Sequence, residues 1–442
     1  MTASNEPHVK RTLTLPTAVL FGLSYMLPLT VFTTFGIVNV LTEGHIVSAY
    51  MLCLLAMFFT AASYAKMARA YPLAGSAYIY TRKAFGGSIG FLSGWALMLD
   101  YILMPMITYL VIGIYINAAL PMVPQSVGIV VSLLSVTALT IIGIRSVSIV
   151  SSALVAFQVV FLVVFLTMAG FSIWGQPLPD ISDVMFGSGP GMATIFSGAA
   201  ILCFSFLGFD AVSTIAEETR DAQRVIPRAI ILVTLIGGAL FILISLPAVL
   251  VMPDWTAYTD ADSAALDVMQ AAGGRFLGMF FTAAYVAGCF GAVTASQTTV
   301  SRILYAMGRD GVIPKSVFGR IHPRFQTPVG AILVVGMVGF VALFVSLDLA
   351  PSLINFGALV AFTSVNLSVI KHFYIDRKER SGWSLVTGLA APAIGVAMCV
   401  WLWLSLSADA LAIGLAWVLL GTLQLGLLTR WFTRKPPELS LN

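Results

Sequence analysis

Apolar residues in this chain gather into long runs separated by short polar connections. A helix needs about 20 predominantly apolar residues to cross a bilayer. Twelve runs of that length or more are present, and they predict twelve membrane-spanning helices. The first runs from about Leu15 to Leu41, the second from Ile46 to Tyr71, the third from Ser88 to Leu120 and the fourth from Ser126 to Ile144. Val147 to Trp174 forms the fifth, Met192 to Ile215 the sixth, Pro227 to Val251 the seventh and Gly273 to Met307 the eighth. The last four are Pro328–Leu347, Pro351–Phe373, Leu385–Leu406 and Ala410–Phe432.

Composition supports lipid as the solvent. Hydrophobic residues make up 59% of the chain and charged residues 10%, with a mean hydropathy of +0.97. Soluble domains carry about 25% charged residues. Charge placement then orients the chain. With the N-terminus in the cytoplasm, twelve alternating spans put every one of the 23 lysines and arginines except Arg275 on the cytoplasmic side. The opposite loops carry Glu43, Asp180, Asp183, Asp254, Asp260, Asp262, Asp267, Asp348 and Asp409. That is the bias of the positive-inside rule, and it predicts both termini in the cytoplasm. The leading MTASNEPHVKRTLTLP is short and polar. The run after it is too long for a signal-peptide core and lacks a small-residue cleavage pattern, so it reads as a retained first span. The longest outer connections, 176–190 and 253–272, are short and acidic, and the second has room for one amphipathic helix. Residues 1–442 are therefore expected to form a single transmembrane domain.

Several chemistries find no support. Cys53, Cys203, Cys289 and Cys399 lie far apart inside apolar spans, with no CxxC pair to suggest zinc or a disulfide framework. His8, His45, His322 and His372 are isolated. No GxxxxGK loop points to an ATPase. An enzyme would need a nucleophile–base or metal constellation at one depth, and none is found. No cofactor, metal or nucleic-acid partner is implied, and oligomeric state stays open.

The informative residues are polar ones at depth. Asp100 sits about 18 Å into the third span at 1.5 Å per residue, and Asp210 lies in the sixth. A charged group at that depth costs about 2.5–3.5 kcal/mol on insertion scales, so such residues normally face a protein interior or a water-filled path. With no Lys or Arg deep in any span, two acids suggest a site that neutralises something positive, a proton or a substrate ammonium. The alternative is that each is protonated or satisfied by hydroxyl or backbone partners. Ser205 and Gly208 precede Asp210, and the glycine lets the sixth helix open. In the first span Pro28 removes a helix hydrogen bond, and Thr30, Thr33 and Thr34 follow. Two spans broken near the middle, five apart, fit the inverted-repeat transporters, which bind substrate between such breaks. The expected repeats cover about 15–174 and 192–373, with two further helices over about 385–432. Ser24, Tyr25, Phe204, Phe206 and Phe209 flank the breaks, where aromatic faces suit either an ammonium or ordinary packing. Tyr109 and Asn355 are further polar groups at depth. Gly86, Gly90 and Gly94 have the spacing of a helix-packing face. The turn-rich run from Ser301 to Pro328 suits either a loop or part of an inner gate.

These residues also carry a family resemblance. FSFLGFDAVSTIAEETRDAQRVIPRAI, from Phe204 to Ile230, resembles the sixth-helix signature of the amino acid–polyamine–organocation transporters. SRILYAMGRDGVIP, from Ser301 to Pro314, resembles that family's segment after helix eight. GLSYMLPLT, TVFTTFGIV, GSAYIYTRKAFG, GFLSGWALMLDYILMPM and INFGALVAFTSVNLSVI are similar to the bacterial putrescine importer branch. The resemblance covers nearly the whole chain. It implies an all-α, five-plus-five inverted-repeat fold of the leucine-transporter type, with helices one and six broken, two extra C-terminal helices and proton-driven secondary transport. It implies that Pro28, Leu29 and Thr30 line the site through backbone, that Asp210 is the acid after the helix-six break, and that Phe204 covers the substrate. One departure stands out: Thr33 occupies a position where the putrescine importers carry an acid.

The expected function is import of a small amine, putrescine or a related polyamine, across the bacterial inner membrane by proton symport. The alternatives are an importer of an amino acid or monoamine, or an amine or amino-acid antiporter of the same fold. Tyr25, Pro28, Leu29, Thr30, Thr33, Asp100, Tyr109, Phe204, Ser205, Gly208, Asp210 and Asn355 are the expected substrate-binding residues, with Asp210 also coupling the proton. Membrane lipid is the expected surround, and a ligand-binding sensor without flux is the rival outside transport.

Overall fold

In hydrocarbon each backbone N–H and C=O must be satisfied within its own segment, so apolar runs of this length become helices. A computed structural model describes residues 13–73, 76–142, 147–177, 180–186, 191–309 and 311–431, without the side chains of 147–156, 181, 183, 186, 217 and 306. Lys10, Arg11, Arg145, Arg434 and Lys435, which the charge pattern uses, lie outside these residues. Among the described residues the protein is helical, with one isolated bridge and no named strand.

The helices in order are α1 (Leu15–Met26), α2 (Val31–Leu41), α3 (Ile46–Ala70), α4 (Ser76–Phe85), α5 (Gly87–Ala119), α6 (Gln125–Ile142), α7 (Val147–Ile173) and α8 (Ile181–Phe186). They continue as α9 (Met192–Phe206), α10 (Ala222–Val251), α11 (Ala264–Arg309), α12 (Lys315–Phe318), α13 (Val329–Gly339), α14 (Leu349–Val369), α15 (Trp383–Leu385), α16 (Ala391–Leu404) and α17 (Ala408–Leu428). Among the described residues ten helical segments are long and apolar enough to cross a membrane. The expected fifth and ninth spans contain the shorter apolar stretches Phe157–Ile173 and Val329–Leu343.

The structure corrects several boundaries. The segment before the third span is not a bare loop, because Ser76–Phe85 forms α4. The element α11 is two helices joined at Gly273 and Gly274, which leave helical geometry, Gly274 with a φ of 62°; the part from Ala264 lies within the connection expected to have room for one helix, and the expected eighth span starts at this joint. Of the three spaced glycines, Gly90 and Gly94 do face close neighbours, Arg82 and Tyr78. Gly86 does not. It has open space around it and a φ of 93°, so its glycine serves the turn between α4 and α5.

Packing places α10 along α3, α5 against both α11 and α14, and α7 along α11. The helix α9 is enclosed by α2, α3 and α14. The middle of this bundle is dense with rings. Phe32, Phe161, Phe165 and Phe281 are all 0–1% exposed. Phe32 meets Phe281 edge-on at 5.3 Å, and Tyr115 meets Tyr285 edge-on at 4.8 Å. Edge-to-face pairs at such separations add roughly 0.5–1.5 kcal/mol each beyond their buried area.

Candidate functional site

Two interrupted helices meet at the centre of the bundle. α1 stops at Met26, Leu27 takes a φ of 45°, and a short 3-10 turn over Pro28–Thr30 leads into α2. The cause is local. Pro28 has no N–H to offer the Ser24 carbonyl four residues back. The Thr30 hydroxyl covers part of the loss by donating to the Leu27 carbonyl at 2.8 Å and the Met26 carbonyl at 3.2 Å. α9 stops at Phe206, Gly208 has a φ of 124°, and the chain resumes as a 3-10 helix over Asp210–Glu218. The two interruptions touch: a Cβ on Gly208 would stand 2.7 Å from Tyr25 Cδ1 and 3.1 Å from the Met26 nitrogen. Only glycine permits both that φ and that approach.

Asp210 lies just beyond the second interruption and is 6% exposed. The Gly208 N–H donates to its Oδ1 and the Ser76 hydroxyl to its Oδ2, each at 3.3 Å. Ser76 reaches it from the start of α4 with a φ of 47°. Asp100, also 6% exposed, keeps its Oδ1 without a hydrogen-bond partner among the described residues. The two carboxyls lie within electrostatic range of one another, and Tyr25 sits in the field of both.

Beside the interruptions lies a cavity of about 180 Å³. α1 and its turn contribute Ser24, Tyr25, Leu29, Thr30 and Thr33; α9 contributes Phe204 and Leu207. The opposite walls are Met104, Ile107, Thr108 and Val111 of α5, Gln158 of α7, and Tyr285, Cys289, Ser296 and Thr299 of α11. Asp100 is four residues before Met104, one turn or about 6 Å along the same face of α5. The ring cluster of Phe32, Phe161, Phe165 and Phe281 adjoins the cavity, and Phe281 stacks on Tyr285 at 5.2 Å.

The expected site residues divide on this geometry. Tyr25, Leu29, Thr30, Thr33 and Phe204 line the cavity, whereas Pro28, Gly208, Asp100 and Asp210 shape or flank it. Thr33 is hydrogen-bonded to Tyr285 across the wall. Ser205 pairs with the Tyr50 hydroxyl at 3.2 Å and is fully buried. The Asn355 amide N–H groups go to α9, donating to the carbonyls of Ala200 at 2.7 Å and Ile201 at 3.0 Å, while its Oδ1 has no hydrogen-bond partner among the described residues. Tyr109 donates to Gln297, whose amide donates in turn to Thr137 at 3.1 Å. These two polar groups at depth join helices rather than face the cavity. Sequence reasoning missed Gln158, Tyr285, Ser296 and Ser76. Gln158 carried a signal, a lone amide in an apolar run, and the others carried none that separates them from packing residues.

The chain is similar to other transport proteins over nearly its whole length. It is 39% identical to the low-affinity putrescine importer PlaP of Escherichia coli K12, covering 98% of this chain and 97% of that one. It is 26% identical to the branched-chain amino acid permease BcaP of Bacillus subtilis, over 95% and 93% of the two chains. It is 27% identical to the methylthioribose transporter of the same organism, over 95% and 94%. The family model for amino acid permeases matches residues 13–424, which includes both interruptions, both carboxyls and every wall of the cavity; the chain belongs to the amino acid permease family.

Proposed function

We propose that this protein is a secondary active importer of a small amine, with putrescine or a related polyamine as its leading substrate, working in the bacterial inner membrane by proton symport. The observation that carries this reading is the contact between Gly208 and Tyr25–Met26, which joins two helix interruptions beside a central cavity and two buried carboxyls. Helix interruptions expose carbonyls and N–H groups where a charged substrate can use them. The similarity to a putrescine importer supports the substrate class.

In this reading twelve spans form two inverted repeats, about 15–174 and 192–373, with two added helices over about 385–432 and both termini in the cytoplasm. An ammonium rests against Tyr25 and Phe204, the Thr30 and Thr33 hydroxyls, and the carbonyls freed by Pro28. Asp100, one turn along α5 from Met104, and Asp210, just beyond the Gly208 interruption, take the second ammonium or the coupled proton. Rocking of the bundle about the interruptions alternately opens the cavity to each side. The bond between Thr33 and Tyr285 and the lack of any carboxylate among the described residues of the cavity walls favour a second reading. One ammonium, as in a monoamine or amino acid, then suffices.

The deciding experiment places purified protein in liposomes with an inward proton gradient and follows labelled putrescine beside lysine, alanine and a monoamine. Putrescine-dominated uptake that collapses with a protonophore is the expected result. Putrescine inert with an amino acid or monoamine taken up selects the second reading. Uptake that needs a counter-amine inside the vesicle, and not the gradient, identifies an antiporter. Binding without flux of any of them overturns transport.

A further inference from the structure

A second pocket, of about 530 Å³, lies at the end of the bundle where α3 finishes and α10 begins, far along the helices from the central cavity. Lys66 and Arg69 enter it from the last turns of α3, Arg377 from beyond the π-helical end of α14, and Trp383 and Thr387 from the segment leading into α16. No Asp or Glu lines it among the described residues. Lys66 is held in place: its Nζ donates to the Thr387 hydroxyl at 3.1 Å and stands 4.3 Å over the Phe373 ring. Arg377 also lies over that ring at 5.4 Å, and the half-buried Glu379 pairs with it at 3.9 Å and lies within electrostatic range of Lys66, so the cluster keeps a net positive charge. Ser63, 2% exposed, brings a hydroxyl with no hydrogen-bond partner among the described residues to the same wall.

The surroundings say what kind of ligand would fill it. Trp383 is 76% exposed, and Leu385, Val386 and Ile394 beside it are at least 40% exposed, so this rim faces lipid. Trp at a helix end marks the headgroup level of a bilayer. Basic pockets between membrane helices at that level suit anionic headgroups. We propose that Lys66, Arg69 and Arg377 form a binding site for the phosphodiester of an anionic phospholipid, with Thr387 and Ser63 as hydroxyl donors and the acyl chains lying along the exposed faces of α10 and α16. The site is independent of the transported substrate. Its occupant would bridge α3 and α10 to α14 and α16, tying elements on either side of the interrupted helices.

Full-length protein in detergent, titrated with palmitoyl-oleoyl phosphatidylglycerol or with phosphatidylcholine of the same chains, tests this by native mass spectrometry. Phosphatidylglycerol is expected to be retained at lower concentration, and each cation removed should weaken retention about fivefold, since a surface cation contributes roughly 1 kcal/mol to anionic lipid binding. R69Q removes an exposed side chain and serves as the fold-safe variant. The triple variant K66Q/R69Q/R377Q should fall to the phosphatidylcholine level, while R320Q/R324Q, outside the pocket, should not change. Equal retention of the two lipids, or unchanged retention in R69Q and the triple variant, overturns the proposal. Displacement of phosphatidylglycerol by millimolar inorganic phosphate also overturns it, and assigns the pocket to a free anion.

Discussion

Asp210 and Gly208 are two residues apart and depend on one another: the glycine's N–H holds the carboxyl, and its φ of 124° turns the chain so that it can. Gly208→Ala forces a side chain into a conformation that costs about 1–3 kcal/mol and against Tyr25 Cδ1. The variant is expected to lose thermal stability by that order and to lose uptake; unchanged melting with full uptake would show that the turn relaxes freely. Asp210→Asn keeps shape and hydrogen-bonding capacity but not the charge. It should remain folded by helical content and size-exclusion profile, and gradient-driven uptake should drop to background. Normal uptake would remove Asp210 from the mechanism. Both residues were legible in the sequence, because a carboxylate in an apolar run is costly and a glycine beside it is cheap to open. Gln158 and Tyr285 were not read as cavity residues, since which face of α7 or α11 turns inward is decided by packing between distant segments. Asn355 and Tyr109 show the converse: depth and polarity alone do not separate a ligand contact from a hydrogen bond between helices.

The interrupted elements are joined at a second place. The Leu13 N–H donates to the Glu218 carbonyl and the Arg220 N–H to the Leu13 carbonyl, both at 3.0 Å, so the chain entering α1 pairs with the chain leaving the Asp210–Glu218 helix. Between this bridge and the Gly208 contact, α1 packs on the same 3-10 helix, with Gly22 admitting Val212. Three contacts along their length make these two half-helices one mechanical unit. A cysteine pair at Leu13 and Thr219 is therefore expected to cross-link under mild oxidation and to leave uptake within about twofold of the reduced protein, a difference of roughly 0.4 kcal/mol. Arrest of uptake that a reductant restores would mean that the two half-helices separate during the cycle. Pro28 and Gly208 announced the interruptions because each acts on its own backbone. The bridge could not be read, since it pairs residues some two hundred positions apart through main-chain groups that every residue carries. The helix α4 was hidden for a related reason. Ser76–Phe85 is too polar to look like a span and is held by its neighbours, α5 above all.

At the scale of the whole molecule, charge asymmetry carries the strongest prediction left. Basic residues among the described residues gather at one set of helix ends and connections, with Arg275 the exception: Lys66 and Arg69 end α3, Arg82 and Lys83 end α4, Arg224 and Arg228 open α10, Arg309 ends α11 and Arg377 follows α14. The opposite connections hold Glu43, Asp254, Asp260 and Asp348. A membrane with a negatively charged inner leaflet and an inside-negative potential favours the basic end inward, by about 2.3 kcal/mol per charge per 100 mV for any charge that would otherwise cross. Met122, 97% exposed in the turn between α5 and α6, should therefore face outward, and Lys378, beyond α14, inward. The test belongs in a Cys289→Ser background, because Cys289 lines the cavity that opens to each side, whereas Cys53, Cys203 and Cys399 are at most 1% exposed. In intact cells a membrane-impermeant maleimide should label Met122→Cys and spare Lys378→Cys, with labelling of the latter appearing only once the membrane is permeabilised. The reverse pattern would invert the proposed orientation of the helices, while the direction of symport would still follow the proton gradient. Labelling of both in intact cells would mean that an even number of crossings separates them, and the alternation of twelve spans would have to be abandoned.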